Sequence, residues 1–370
     1  MNEAFLAAFV MAGTCILSSL LVPASAALAR RFNVMDHPGA RKVHVAPTPR
    51  LGGVAVFLSF NIVVLAGYLI SPHIAGFPWL RDVMGPTSLI LQEAFRAKAR
   101  LTGLLAGGGV VFVIGLLDDA RGGHFPVALK AAGQVLAAVT LVGAGVRTSF
   151  LPFDWMNVLV TVLWLVGMTN AFNLLDNMDG LSAGVAFVAS GVFLLTAWSL
   201  GELFISLILA AFMGSLLGFL FFNVHPARVF LGDCGSLFIG YLMGSLTLLE
   251  RYVSHASSTL FPILLPVFVL AVPLIDTFTV TFIRLREGRP IYIGDRRHLS
   301  HRLVALGFSQ PAAVRILWLM TFCLGLGAAS LTDATVPQAV GILVQSLGFV
   351  ALALILIFFD RRTAPPGAAS

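Results

Sequence analysis

The sequence predicts an all-α polytopic membrane protein with about eleven transmembrane helices, the amino terminus outside and the carboxy terminus in the cytoplasm. Three observations lead there. Of 370 residues, 58% are hydrophobic and only 11% charged, where soluble domains carry about a quarter charged residues; mean hydropathy is +0.95. The apolar residues gather in runs close to the roughly 20 that a bilayer-spanning helix needs. Basic residues collect in alternate connections, as cytoplasmic loops require. This composition excludes a water-soluble multidomain enzyme and a nucleic-acid reader. The net charge of +6 is therefore a topology signal, and no nucleic acid is expected as a partner.

The first run, 4–29, contains Pro23, Ala24, Ser25 and Ala26, which imitate a small-residue cleavage site. A secretory leader begins with basic residues, whereas the only early charge here is Glu3 and the pair Arg30 and Arg31 follows the run. It is expected to be an uncleaved helix entering from outside. Further runs occupy 51–70, 100–117, 126–146, 155–172, 181–199, 202–222, 236–250, 259–283, 312–331 and 337–359. Alternation then makes 30–50, 118–125, 173–180, 223–235, 284–311 and the tail cytoplasmic. These segments hold 15 of the 23 basic residues, Lys130 and Arg315 lie just inside adjoining helices, and the outer segments hold six.

The outer loop 71–99 runs against this trend with Arg81, Arg96 and Lys98. Its stretch from Ser88 to Arg100 reads as an interfacial helix, with Leu89, Ile90, Leu91, Ala94 and Phe95 toward lipid. The tail 361–370 is rich in Pro and small residues and is expected to be disordered. Cys15, Cys234 and Cys323 lie far apart without metal-ligand spacing, so neither a disulfide framework nor a zinc site is expected.

Acidic residues at helix ends carry the chemistry. Asp118 and Asp119 end the third run; Asn170, Asn173, Asp176, Asn177 and Asp179 fill one junction; Asp233 closes the loop after the seventh. One such acid alone reads as a helix cap in headgroup water. Three clusters on one face read differently, because converging carboxylates repel unless a cation intervenes. Hard oxygen ligands suit magnesium or manganese, and a magnesium site leaves positions for substrate phosphates.

Basic groups accompany them. The loop from Asp36 to Gly53 presents Arg41, Lys42, His44 and Arg50 among prolines and glycines that prevent a plain helix. Residues 284–302 add six arginines together with His298 and His301. Anchoring to anionic headgroups accounts for many of these charges. It does not account for two histidines three residues apart, which on a short helix share a face.

In order and spacing, the Asp36–Gly53 run, Asp118–Asp119, NAFNLLDNMDGL from Asn170, FLGDCGSL from Phe230 and DRRHLSHRL from Asp295 resemble the polyprenyl-phosphate N-acetylhexosamine-1-phosphate transferases. The resemblance covers nearly the whole chain. It implies one integral membrane transferase domain, 1–370, with a cytoplasmic active site in the bacterial inner membrane. The implied reaction passes a sugar-1-phosphate from a UDP-amino sugar to a polyprenyl (undecaprenyl) phosphate and releases UMP, starting a cell-envelope polysaccharide. It also implies Mg2+, with Mn2+ as a substitute; a homodimer stays open.

Carried onto this chain, Asp118 and Asp119 match the family's aspartate pair, which binds magnesium or acts at the attacking phosphate. Asn173, Asp176 and Asp179 match its nucleotide and metal region, and Asp233 a direct magnesium ligand. Phe230 matches an aromatic position that stacks on uracil. His298, His301 and the adjoining Arg302 match the loop associated with pyrophosphate and sugar, while Lys42, His44 and Arg50 would present cations to the pyrophosphate. Two departures stand out: Gly122 where relatives often carry a third acid, and Ser300 where they carry a third histidine. The TPRLGG stretch, Thr48 to Gly53, looks closer to the N-acetylglucosamine branch than to the muramyl-pentapeptide branch.

Some roles stay open at this level. Lys130 either steadies the lipid phosphate or snorkels toward the interface. Asp276, roughly 12 Å up its helix from Arg284 at 1.5 Å per residue, either pairs with a polar group or approaches the sugar pocket. Within the class, another UDP-HexNAc or the muramyl-pentapeptide donor is the alternative. Outside it, a cation-coupled transporter is the rival, and it requires ionisable groups near the midplane.

Overall fold

A computed structural model describes residues 3–37, 47–74, 97–122, 124–252, 261–290 and 297–359. The protein is all-α apart from one two-residue hairpin: α1 (Glu3–Arg31), β1 (Met35–Asp36), β2 (Thr48–Pro49), α2 (Gly52–Ile74), α3 (Lys98–Ala120), α4 (Val127–Gly143), α5 (Asp154–Leu175), α6 (Leu181–Ser199), α7 (Leu203–Asn223) and α8 (Gly232–Leu249). There follow a 3-10 turn (Phe261–Leu264), α9 (Leu265–Val269), α10 (Ala271–Arg286), α11 (Leu299–Ala305), α12 (Gln310–Ala329), a second 3-10 turn (Ser330–Thr332) and α13 (Val336–Phe359).

Among the described residues nine helices are long and apolar enough to cross a membrane, and one bent pair makes up to ten. The chain is a multi-pass membrane protein. Two of the runs read as spans depart from a straight 18-residue helix. Helix α4 is apolar but has 17 residues. The run at 259–283 is broken, with Phe261–Val269 and Ala271–Arg286 inclined at 69°. Proline explains the break: Pro273 has no N–H to return to the Val269 carbonyl, so the i to i−4 ladder is interrupted beside Leu270. The interfacial helix expected at 88–100 falls almost wholly outside the described residues.

Helix α8 forms the axis, packed by α2, α3, α5 and α6, and its membrane-length window is the most enclosed in the bundle. Glycine makes that enclosure available. A Cβ on Gly107 would lie 2.1 Å from the Tyr241 hydroxyl, and one on Gly240 would lie 2.6 Å from the Met168 carbonyl. Outside this core α1 runs along α7, where Gly214 and Gly218 admit its backbone and Ser18 Oγ donates to the Ser215 carbonyl at 2.8 Å. Small residues allow such approach where lipid removes a hydrophobic drive between helices.

Candidate active site

Side chains from α3, α4, α5 and α8 converge at the end of the bundle where α3, α5, α7 and α10 end and α4, α6, α8 and α12 begin. At the centre is Lys130, one turn into α4. Its ammonium donates to Asp118 Oδ2 at 2.9 Å, to Asn173 Oδ1 at 3.4 Å and, through a short contact, to Asp233 Oδ2. Its side chain is only 16% exposed, so it is not a snorkelling lysine. The six-residue connection between α3 and α4 reverses the chain and returns Lys130 to Asp118, and Phe125 N donates to Asp118 Oδ1 at 3.2 Å. One turn deeper, the amides of Gln134 and Asn170 exchange hydrogen bonds at 3.3 and 2.7 Å. That tie between α4 and α5 aims Lys130 and Asn173 at the same point. Asn173 Nδ2 then donates to Asp233 Oδ1 at 3.2 Å and to Ser236 Oγ at 2.8 Å.

Asp119 stands apart from this ring. Its two oxygens accept the Asp233 and Cys234 backbone N–H groups at 2.9 Å each, capping the positive end of α8. Arg50 lies 3.7 Å from Asp119 and 3.6 Å from Asp36. Burial opposes the guanidinium charge of Arg50, but Asp119, Asp233, Asp36 and Asp176 outweigh it and hold its pKa above the ordinary value. Asp176 follows the last residue of α5. Burial, reinforced by Asp233 and opposed by Arg50, pushes its carboxyl up to about 8.

The glycines of RLGG and FLGDCG lock two loops together. Gly52 N donates to the Phe230 carbonyl at 2.9 Å, Gly53 N to the Leu231 carbonyl at 2.8 Å, and Phe230 N to the Pro49 carbonyl at 2.8 Å. Gly53 and Gly235 meet face to face, and a Cβ on Gly53 would lie 2.2 Å from Gly235 N. Gly232 has φ +75°, and a Cβ there would lie 2.1 Å from the Arg50 carbonyl. Phe230 itself is half-buried at this junction. Lys42 and His44 lie outside the described residues.

Asp179 holds the loop between α7 and α8, accepting from Ala227 N at 3.1 Å and lying 2.9 Å from His225 Nδ1. Asn223 braces the same turn by accepting from Gly180 N at 3.0 Å and donating to the Val229 carbonyl at 2.9 Å. Asp276 pairs with His298: its oxygens lie 2.7 Å from His298 Nδ1 and 2.6 Å from Leu299 N. It therefore caps α11 and orients that imidazole. His301 is half-buried, with its ring centroid 6.2 Å from that of His298. Ser300 Oγ donates to Asn177 Oδ1 at 2.6 Å, tying this loop to the α5–α6 turn. Arg302 is buried and donates through Nε to the Arg297 carbonyl at 3.2 Å.

Among the described residues no three acidic, histidine or cysteine side chains form a metal-binding group. The expected set of Asp118, Asp119, Asp176 and Asp233 is thus not gathered as one cluster, because Asp119 serves the α8 amides. The oxygens that do converge are two carboxylates and the Asn173 amide. Such a hard-oxygen set fits magnesium, which takes one or two carboxylates and fills its other positions with water and substrate phosphates.

The glycosyl transferase family 4 model matches residues 101–250, the stretch from α3 to the end of α8 that supplies the whole Lys130 ring. A Bacillus subtilis (strain 168) protein named "probable undecaprenyl-phosphate N-acetylglucosaminyl 1-phosphate transferase" is 33% identical over 86% of this chain and 82% of its own. A decaprenyl-phosphate N-acetylglucosaminephosphotransferase of Mycolicibacterium smegmatis is 32% identical over 92% and 85%. A phospho-N-acetylmuramoyl-pentapeptide-transferase of Shouchella clausii is 30% identical over 84% and 91%. With the motifs in order and the polar helix ends assembled, the chain belongs to the polyprenyl-phosphate N-acetylhexosamine-1-phosphate transferases of glycosyl transferase family 4.

Proposed function

We propose that this enzyme transfers N-acetylglucosamine-1-phosphate from UDP-GlcNAc to undecaprenyl phosphate at the cytoplasmic face of a bacterial inner membrane, releasing UMP and starting a cell-envelope polysaccharide. The observation that carries this reading is the convergence of Asp118, Asn173, Asp233 and Lys130 at one end of the bundle. A lipid phosphate and a soluble nucleotide can both reach such a site. Taking α4 and the bent pair as spans beside the nine longer helices would make eleven passages, and the distribution of Lys and Arg supports a cytoplasmic site end. The N-acetylglucosamine relatives and the TPRLGG stretch favour that donor over the muramyl-pentapeptide.

In the reaction, a lipid phosphate oxygen attacks the sugar-linked phosphorus of the donor. A new P–O bond forms, the bond to the UMP oxygen breaks, and UMP leaves with its electron pair. No general base is required, because a phosphate monoester with its second pKa near 6 is largely dianionic at neutral pH. Asp233, Asp118 and Asn173 would hold magnesium or manganese, with Asp176 beside them; when bound, that cation neutralises pyrophosphate charge. Lys130 steadies phosphate oxygens and Arg50 faces the same charge. Phe230 is assigned to the uracil and Asp179 to the loop that carries it. His298, His301 and Arg302 are assigned to pyrophosphate and sugar, and Lys42 and His44 to the donor phosphates. The transporter alternative requires ionisable groups near the midplane, and Asp276, an acid well inside an apolar run, is engaged in capping α11 and pairing with His298.

The test incubates detergent-purified protein with undecaprenyl phosphate, magnesium and a panel of UDP-sugars that includes the muramyl-pentapeptide donor, reading UMP and glycolipid. UMP from UDP-GlcNAc is expected; none from any donor refutes the enzyme reading. Stereochemistry tests the single displacement: inversion at a labelled phosphorus is expected, and retention refutes it.

A further inference from the structure

We propose that Lys130 competes with the divalent cation for the same oxygens, so that metal entry expels the Lys130 ammonium from between Asp118 and Asp233 and makes it available to the incoming phosphate. The inference rests on the phosphotransferase reading above and deepens it.

The geometry is that of a cation site. Nζ touches one oxygen each of Asp118, Asn173 and Asp233. These come from α3, α5 and α8, and among the described residues Lys130 is the cation that hydrogen-bonds all three. Arg50 is paired with Asp36 and Asp119 and acts on Asp233 through its charge, without a hydrogen bond to the three oxygens that Lys130 holds. An ammonium and a divalent ion cannot share three oxygens, because both need the same lone pairs and repel one another. The supporting shell is built to keep the oxygens where they are: Phe125 N on Asp118, Ser236 Oγ on Asn173, and the Gln134–Asn170 tie beneath. The lysine stem, by contrast, has four rotatable carbons and can swing while its helix stays fixed. The oxygens thus have two alternative cations, and only one of them is tethered.

Two consequences follow. The ammonium neutralises the Asp118–Asp233 pair before any metal arrives, so the carboxylates are held together rather than driven apart. It also lowers the apparent metal affinity, since a ligand that needs a minor conformer binds more weakly by the fraction of that conformer. A substrate phosphate that accepts Lys130 reverses this penalty, so metal and phosphate should bind with positive coupling.

The experiment measures Mn2+ binding to the purified full-length protein by the loss of the free-ion electron paramagnetic resonance signal, without nucleotide or lipid. Lys130→Met, Lys130→Arg and Asp233→Asn are compared with the wild type after thermal melting establishes that each is folded. Lys130→Met should bind Mn2+ more tightly, on the roughly 10- to 100-fold scale by which groups beside metal ligands change affinity, and Lys130→Arg should stay near the wild type. Unchanged or weaker binding by folded Lys130→Met, with binding lost in Asp233→Asn, overturns the exchange while leaving the metal site standing. Absence of binding by wild type and Lys130→Met alike overturns both readings.

A second measurement needs no variant. Lys130 is one of three lysines in the chain, so reductive methylation read by mass spectrometry reports its release. Added Mg2+ should speed methylation of Lys130 relative to Lys98; an unchanged ratio at saturating metal overturns the proposal.

Discussion

Replacing Asp119 with alanine separates a scaffold role from a chemical one. Both carboxylate oxygens accept the opening amides of α8 at 2.9 Å, and the side chain is fully buried beside Arg50. Hydrogen bonds to a charged acceptor contribute about 1.5–3 kcal/mol each, and losing a cap costs about 1–2 kcal/mol. The two descriptions overlap, so the expected loss for Asp119→Ala is about 3 kcal/mol rather than their sum. At roughly 2–4 °C per kcal/mol for a large domain, the melting midpoint falls by about 6–12 °C. Transfer also falls, because the α8 amino terminus carries Asp233. The assay is a detergent melt followed by UMP release well below the variant's midpoint, with Asp118→Asn as the comparison. Asp118→Asn should melt near the wild type and lose transfer. If Asp119→Ala melts within about 1 °C of the wild type while transfer vanishes, the scaffold assignment is refuted and Asp119 acts on substrate or metal.

Other positions give sharp outcomes. Asp233→Asn should abolish both transfer and magnesium dependence in the UMP assay, and survival of both removes it from the metal site. Gly53→Ala should destabilise by about 1–3 kcal/mol, the cost of overpacking, because its Cβ would lie 2.2 Å from Gly235 N; a melt at the wild-type midpoint would count against the glycine lock. Asp276→Asn keeps a cap for Leu299 N but loses the charge beside His298, so kcat should fall by about 10- to 100-fold with the fold retained. Ser300→Ala should raise KM for the donor without moving kcat, by freeing the histidine loop from Asn177.

What could be read from the sequence was whatever a membrane imposes on it. Apolar length located the helices, because an unsatisfied backbone is too costly in lipid for any other spanning form, and 181–199 coincides with α6 residue for residue. The run 259–283 read as one span, and only the structure shows its 69° break. Helix-end acids marked the site, but their division of labour was not legible. Asp118 and Asp119 are neighbours in the chain, yet successive helical positions point about 100° apart; one therefore faces Lys130 and the other the α8 amides. Nor did the spacing of Lys130 from Asp118 reveal their contact, which depends on a chain reversal. Asn170 was read as part of the polar junction, but its tie to Gln134 across helices was not. A signal was available, since polar side chains within spans tend to find partners across helices.

The glycine lock explains why motifs far apart in sequence act together. Residues 49–53 and 230–235 are joined by backbone hydrogen bonds and by two glycines in contact, so neither loop can shift without the other. Arg50 rides on the first loop and Asp233 on the second, and Asp119 grips both, the first through Arg50 and the second through the α8 amides. The histidine loop is held differently, through side chains: Asp276 accepts from His298 and from Leu299 N, Ser300 donates to Asn177, and Arg297 pairs with Glu287. Backbone ladders in close-packed glycine are stiff, whereas side-chain hydrogen bonds can be exchanged one at a time. Under the proposed function, a rigid floor carrying Arg50 and Asp233 beneath a wall held by side chains would keep the oxygens in register while a bulky nucleotide sugar enters and UMP leaves.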